Sequence, residues 1–151
     1  MRNRDWGRGQ TGLAALLVLA SAVSAAANGT AADKPVHVVG DAVAWEAVEH
    51  HALPPGLQAK RLHRYAHNQG GATRLRFPAG YTEPRHYHAT AGHSIYVLAG
   101  RIRFDGAEAG PGDFFHTPAL HPHELFAIEA AEILIWSDGP LDFHLGEPGD
   151  R

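Results

Sequence analysis

Histidine is the residue type best suited to chemistry in this chain, which contains 12 histidines and no cysteine. Two of them, His86 and His88, are one residue apart in the stretch "RHYH". Alternate residues of a β-strand point to the same side, with their Cβ atoms about 6–7 Å apart. Two such imidazoles can converge on one ion at bond lengths of about 2.0–2.1 Å. The pair therefore indicates a candidate metal site.

Two further histidines are candidates for the same site. His93 follows the four-residue segment "ATAG", and we expect the next strand to run back antiparallel beside the first and to present a third ring. His123 lies in "PALHPHELF", at the start of a later predicted strand, and supplies a fourth.

Two other histidines have a weaker claim. His121 is two residues before His123 but falls in the turn that precedes the strand, so it is an alternative ligand. His116 is a candidate outer-shell partner that would face the cavity and orient a ligand. No catalytic residue is assigned from the sequence.

The elements that must position these rings are short strands. Runs such as "TRLRF", "HSIYVLAGRIRF" and "EILIWS" alternate with turn segments such as "NQGG", "ATAG" and "SDGP". In "HSIYVL" the period is two, so His93, Ile95 and Val97 share one face. Many brief strands with such turns predict an all-β antiparallel sandwich or barrel. Only "WEAVEHHALP" is a candidate for a short helix.

The spacing of glycines around the first three histidines resembles the first motif of the cupin superfamily. That motif has Gly, five residues, His-x-His, three or four residues, Glu, six residues and Gly. Here Gly80 precedes His86 and His88 by the same five residues, and Gly100 follows His93 by six. His93 occupies the position of the motif's Glu, which replaces an anionic ligand by a neutral one.

A second segment resembles the second cupin motif, which has Gly, five residues, Pro-x-Gly, two residues, His, three residues and Asn. Here Gly112 is followed by "DFFHT", Pro118 and, after a further four residues, His123. Leu120 replaces the motif's third Gly, and Ala127 replaces its Asn. We expect these two changes to affect turn geometry and not chemistry.

The resemblance implies a cupin double-stranded β-helix, or jelly-roll barrel, with motif 1 at 80–100 and motif 2 at 112–127. It implies one divalent transition metal held by His86, His88, His93 and His123. Four neutral imidazoles suit Fe, Mn, Ni, Cu or Zn and do not choose among them. Octahedral coordination would leave two positions open, whereas tetrahedral coordination would leave none. A homodimer is also implied, since single-domain cupins commonly pair.

Two function classes follow from the resemblance. The first is an exported metalloenzyme, a dioxygenase acting on a small chelating carbonyl or hydroxy compound. The second is a non-catalytic cupin that binds a metal or a small ligand as a sensor, store or accessory protein. The cupin barrel hosts many activities, so resemblance alone does not separate them.

Composition and the N-terminal region limit partners and location. The formal net charge is −3, which argues against nucleic acid and leaves a small molecule as the expected partner. Arg2, Arg4 and Arg8 precede the apolar run "LAALLVLASAV" and the small residues "SAAANG", which is the layout of a secretory signal peptide cleaved after Ala27. We therefore expect residues 1–27 to be removed on export to the periplasm or medium. Residues 28–151 would form one cupin domain with no membrane segment.

Overall fold

The structure, a computed structural model, describes residues 35–149 of the chain. The predicted signal peptide lies outside these residues. The described part has eleven strands and one 3-10 turn at Gly40–Ala42. The strands are β1 Glu46–Ala47, β2 Gln58–Arg64, β3 Gly71–Phe77, β4 Thr82–Tyr87, β5 His93–Ala99, β6 Ile102–Phe104, β7 Ala107–Ala109, β8 Phe114–Thr117, β9 His123–Ala127, β10 Ala131–Ser137 and β11 His144–Leu145. No helix within the described range is long and apolar enough to span a bilayer.

The strands form two antiparallel sheets, which confirms the predicted all-β jelly roll. One sheet has six strands in the order β1-β2-β3-β10-β5-β8, and the other has five in the order β11-β4-β9-β6-β7. The segment "WEAVEHHALP" is not a helix: it contains β1 and a turn. Its aromatic residue, Trp45, instead lies under the cationic groups of Lys60, Arg74 and Arg76.

Alternating side chains of both sheets build the hydrophobic core. The predicted inward face of β5 is confirmed, because Ile95 and Val97 are buried while Tyr96 and Leu98 are exposed. Opposite them in β10, Ile133 pairs with Val97 and is also buried. Burying such a side chain contributes about 1.5–3 kcal/mol, so this core holds the sheets at a fixed position around the histidines.

The connection between β4 and β5 differs from the prediction. We expected β5 to run antiparallel beside β4, but β4 pairs with β9 and β11, whereas β5 pairs with β8 and β10. Residues 88–92 therefore cross from one sheet to the other. Gly92 permits this crossing, because a Cβ there would lie 2.8 Å from the carbonyl oxygen of Thr117. His93 consequently approaches from the sheet opposite His86.

The turn before β9 contains an unusual backbone conformation. Leu120, which occupies the motif's glycine position, has a φ of 64°. Residues with a Cβ atom rarely adopt this left-handed backbone conformation, whereas glycine adopts it freely. The amide of Leu120 donates a hydrogen bond to the carbonyl oxygen of His88 at 2.8 Å. The turn thus keeps the glycine-type geometry without the glycine, so at Leu120 the expected change in turn geometry is not seen.

Candidate metal centre

Three histidines bring their ring nitrogens together inside the barrel. His86 of β4 lies directly opposite His123 of β9, with ring centroids 4.3 Å apart. His88 follows β4 immediately, and its ring centroid is 5.0 Å from that of His86. One nitrogen from each ring lies within 4.8 Å of the other two, and all three residues are buried. This arrangement could hold a metal ion.

Backbone carbonyl groups fix the orientation of these three rings. Nδ1 of His86 donates to the carbonyl oxygen of Pro84 at 2.8 Å, and Nδ1 of His123 donates to that of His121 at 2.9 Å. Nδ1 of His88 donates to the carbonyl oxygen of Asp142. A carbonyl oxygen only accepts, so each Nδ1 must carry the hydrogen. In the neutral ring Nε2 then has a free lone pair, which is the form that binds a metal.

Burial keeps these rings neutral. Desolvation, with a smaller contribution from the neighbouring His123, lowers the pKa of His86 from 6.5 to about 3. Desolvation likewise lowers the pKa of His123 to about 4 and lowers that of His88. Each ring is therefore ready to accept a cation at neutral pH without first losing a proton.

His93 reaches the same cavity from the opposite sheet. Its ring centroid is 4.9 Å from those of His88 and His123, and it is buried, but it is not one of the three mutually close donors. Desolvation also lowers its pKa. Among the described residues its Nδ1 is buried and has no hydrogen-bond partner. His93 as a fourth ligand stays a prediction.

The other two candidate histidines do not join the cluster with their side chains. His121 is exposed, and its Nε2 lies 3.7 Å from the carboxylate of Asp105, while its carbonyl oxygen orients His123. His116 is exposed in β8, where its Nδ1 lies 3.1 Å from Oγ of Ser94. Ser94 alternates with His93 along β5, so His116 lies on the other face of the sheet.

Glu83 lines the same cavity and was missed by the sequence analysis. Its Oε1 lies 3.9 Å from Nε2 of His86, and its side chain is only 16% exposed. Desolvation raises its pKa from 4.5 to about 7. No motif position marks this residue, and strict alternation with His86 would direct it to the opposite face. A register irregularity of β4 between Glu83 and His86 brings both side chains inward.

The segment before β11 closes the site and was also missed. The carboxylate of Asp142 accepts hydrogen bonds from the amides of Ala89 and Thr90 at 3.2 and 3.0 Å. Phe143 stacks on the ring of His86 with centroids 4.1 Å apart and planes inclined by 16°. This segment therefore secures the crossing between the sheets and covers the ring of His86, one of the candidate ligands. The sequence carries no motif that would have identified it.

The cavity has a volume of about 220 Å³. The histidines and Glu83 form its polar part, while residues such as Leu57, Ile95 and Ile133 form its apolar part. Three oriented lone pairs within 4.8 Å of one another are a donor set that a divalent cation satisfies. The residues present therefore fit a transition metal.

Comparison with known families agrees with this geometry. The family model of the ChrR Cupin-like domain matches residues 38–142, which include both histidine motifs. No curated protein matches the chain significantly.

Solved structures with the same fold share little sequence with this chain. A candidate acetylacetone dioxygenase from Methylibium petroleiphilum has 20% identity and a TM-score of 0.68, covering 78% of this chain and 85% of that one. An acetylacetone dioxygenase from Acinetobacter johnsonii has 16% identity and a TM-score of 0.63, covering 79% and 82%. The polyketide cyclase RemF from Streptomyces resistomycificus has 19% identity and a TM-score of 0.60, covering 75% and 84%. At these identities the likeness establishes the fold alone.

Proposed function

The chain belongs to the cupin superfamily, in the family of the ChrR Cupin-like domain, and from this premise we propose that it is a metal-dependent, dioxygenase-like enzyme. The proposed substrate is a small carbonyl or hydroxy compound that chelates the metal, and both atoms of O2 would enter the product. The observation that carries the proposal is the convergence of His86, His88 and His123 in one small cavity.

The proposed ligands are these three histidines, with His93 as a fourth. When bound, one divalent transition metal supplies a Lewis acid and a template that aligns two substrate oxygens. The protein orients the ligand rings through the carbonyl oxygens of Pro84, Asp142 and His121. Such outer-shell bonds restrict ring rotation and raise the basicity of the ligands.

The size of the cavity supports a small substrate. A volume of about 220 Å³ is below the roughly 300–1,000 Å³ of typical drug-sized sites. The apolar wall formed by Ile95 and Ile133 would contact the carbon skeleton and exclude water, while the polar wall would face the oxygens. Of the structural neighbours named above, one is an acetylacetone dioxygenase and another is a candidate one, so β-diketones are a sensible first class of substrate.

The experiment is an oxygen-uptake screen on the full chain loaded separately with Fe²⁺, Mn²⁺, Ni²⁺, Cu²⁺ or Zn²⁺. Small β-diketones and hydroxyketones are supplied, and incorporation of ¹⁸O2 into the product is measured by mass spectrometry. We expect substrate-dependent uptake with at least one metal and none in metal-free protein or in His86→Ala. Tight metal binding without uptake for any substrate would contradict the enzymatic proposal.

One observation favours a second candidate, a non-catalytic metal-binding or ligand-binding cupin. His93 is close enough to the other rings to suggest a closed four-nitrogen site, and closed tetrahedral sites are structural. X-ray absorption spectroscopy of the metal-loaded protein separates the two candidates. Six-coordinate metal with exchangeable oxygen ligands supports the enzyme, whereas four nitrogen ligands alone support the binding protein.

We further propose that the protein is exported after cleavage following Ala27, leaving one domain from residue 28 onward. The support is the basic, apolar and small-residue order of residues 1–27. Mass spectrometry of protein recovered from the periplasm or medium should give a mature N-terminus at Asn28. Intact residues 1–27 on the exported protein would contradict the cleavage.

A further inference from the structure

Two buried hydrogen-bond acceptors face each other in the candidate metal centre. Nδ1 of His86 donates to the carbonyl oxygen of Pro84, so its Nε2 presents a lone pair. Oε1 of Glu83 lies 3.9 Å from that Nε2. This separation is too long for a direct hydrogen bond. Both atoms belong to residues that line the cavity, so a bound ion could lie between them.

A cation between these two atoms is compatible with their separation. Metal bonds to nitrogen and to carboxylate oxygen are about 2.0–2.2 Å long, so two donors on one ion lie up to about 4.2 Å apart. The 3.9 Å between Glu83 and His86 falls within this limit, and Glu83 lies outside the group of three mutually close histidine donors. Among residues 35–149, Glu83 is the acidic side chain that lines the cavity.

The backbone of β4 is built so that both side chains enter the cavity. Glu83 pairs with Leu125 and His86 pairs with His123, but these partners are two positions apart in β9 while Glu83 and His86 are three positions apart in β4. The extra residue of β4 changes the phase of the alternation. Bulges of this kind redirect side chains next to functional sites.

A carboxylate at Glu83 could compensate the positive charge of a bound metal ion. The cupin motif has a carboxylate where this chain has His93, so three or four imidazoles leave the charge of a divalent ion uncompensated. We propose that Glu83 supplies the anionic charge of the metal centre, from the opposite side of the cavity to the position where the motif has its Glu. This inference rests on the proposed metal site and adds the residue that compensates its charge.

The test is the affinity of the metal-free full chain for Zn²⁺ and Mn²⁺, measured at pH 7.5 by competition with a chelator. Glu83→Gln keeps the size of the side chain and removes its charge. We expect it to bind Zn²⁺ about 10- to 100-fold more weakly, the loss typical of residues that support a metal centre. Binding of Mn²⁺, which prefers oxygen ligands, should weaken more than that of Zn²⁺.

Two variants control for general effects. Glu124→Gln removes the same charge from an exposed position of β9, beside His123, and should bind both metals like the wild type. Glu83→Gln combined with His93→Glu restores a carboxylate at the motif position and should recover most of the lost affinity. Thermal unfolding of each metal-free variant checks that the fold is retained.

The outcomes separate this inference from the proposed function. If Glu83→Gln binds the metals as tightly as the wild-type chain, the inference is overturned. It is also overturned if the double variant binds as weakly as Glu83→Gln. In both cases metal binding by the wild-type chain would still support the proposed metal site. A wild-type chain that binds neither metal would overturn both. Weakening in Glu83→Gln alone, with recovery in the double variant, would establish the role of Glu83.

Discussion

The two walls of the cavity are built from different chemistry. The wall on the five-stranded sheet and the crossing that follows β4 carries His86, His88 and His123, each held by a carbonyl oxygen. The wall on the six-stranded sheet is mainly apolar, with Ile95 and Ile133 buried. Thr73 and His93 are the polar residues of this wall among those described, and Nδ1 of His93 has no partner there.

This difference suggests a division of roles. Rings with fixed orientation lose little rotational freedom when they bind an ion, so the first wall is prepared for binding. The second wall holds the sheets together and shapes the space beside the ion. Substitutions in the first wall should therefore reduce mainly metal affinity, and substitutions in the second wall should reduce mainly the stability of the fold.

The largest expected effect on stability comes from the apolar wall. Ile133→Ala removes a side chain that is 1% exposed and should lower the free energy of unfolding by about 2–5 kcal/mol. Denaturant unfolding of metal-free protein measures this change. Leu98→Ala, on the exposed face of the neighbouring strand, is the control and should change stability by less than about 0.5 kcal/mol. Equal losses in the two variants would show that Ile133 is not a core residue.

Removing an oriented ring should primarily affect metal binding. We expect His86→Ala to weaken Zn²⁺ binding by more than about 100-fold, the upper end of the losses caused by residues that only support a ligand. His93→Ala should cost less, because its ring is not among the three mutually close donors. Chelator competition measures both affinities. A larger loss in His93→Ala than in His86→Ala would reverse the comparison between the walls.

Removing the metal should destabilise the fold in a pH-dependent way. At a free metal concentration of 100 times Kd, binding contributes about 2.7 kcal/mol, so a chelator should clearly lower the Tm. The folded pKa values of His86 and His123 are depressed to about 3 and about 4, below the roughly 6.5 of an ordinary histidine. The folded rings thus stay neutral at pH 5, and the chelator effect should persist there and disappear as the pH approaches 3–4.

The metal-free protein provides a separate measurement of the same shifts. As the pH falls below about 6.5, the unfolded chain takes up protons that the folded rings do not. The contribution of His86 and His123 to the free energy of unfolding should therefore be fully present above that pH and decrease from about 6.5 to about 3. Glu83, whose folded pKa is raised to about 7, offsets part of this decrease between pH 7 and about 4.5. Thermal unfolding across this range measures the decrease. For the metal-loaded protein of the preceding prediction, a chelator effect on the Tm that is already lost at pH 5 would mean that the folded rings titrate like exposed histidines.

Much of the fold was predictable from local sequence patterns. Period two in "HSIYVL" gave the buried face of β5, and glycine and histidine spacing gave the cupin fold. The partner of β5 was not predictable, because a four-residue segment can close a hairpin or cross between sheets. Glu83 was missed because a bulge breaks the alternation that sequence reasoning assumes. Asp142 and Phe143 act from a distant segment that has no motif.

The smallest expected effect concerns the turn that joins the two walls. Leu120 has a left-handed φ of 64° and an exposed side chain, so its leucine side chain adds strain with little packing in return. Leu120→Gly relieves strain of about 1–3 kcal/mol, but glycine costs about 0.5–1 kcal/mol in the entropy of the unfolded chain. We therefore expect a net stabilisation of about 1 kcal/mol by denaturant unfolding, with metal affinity unchanged. A destabilised variant would mean that the Leu120 side chain packs against a partner that offsets its strain.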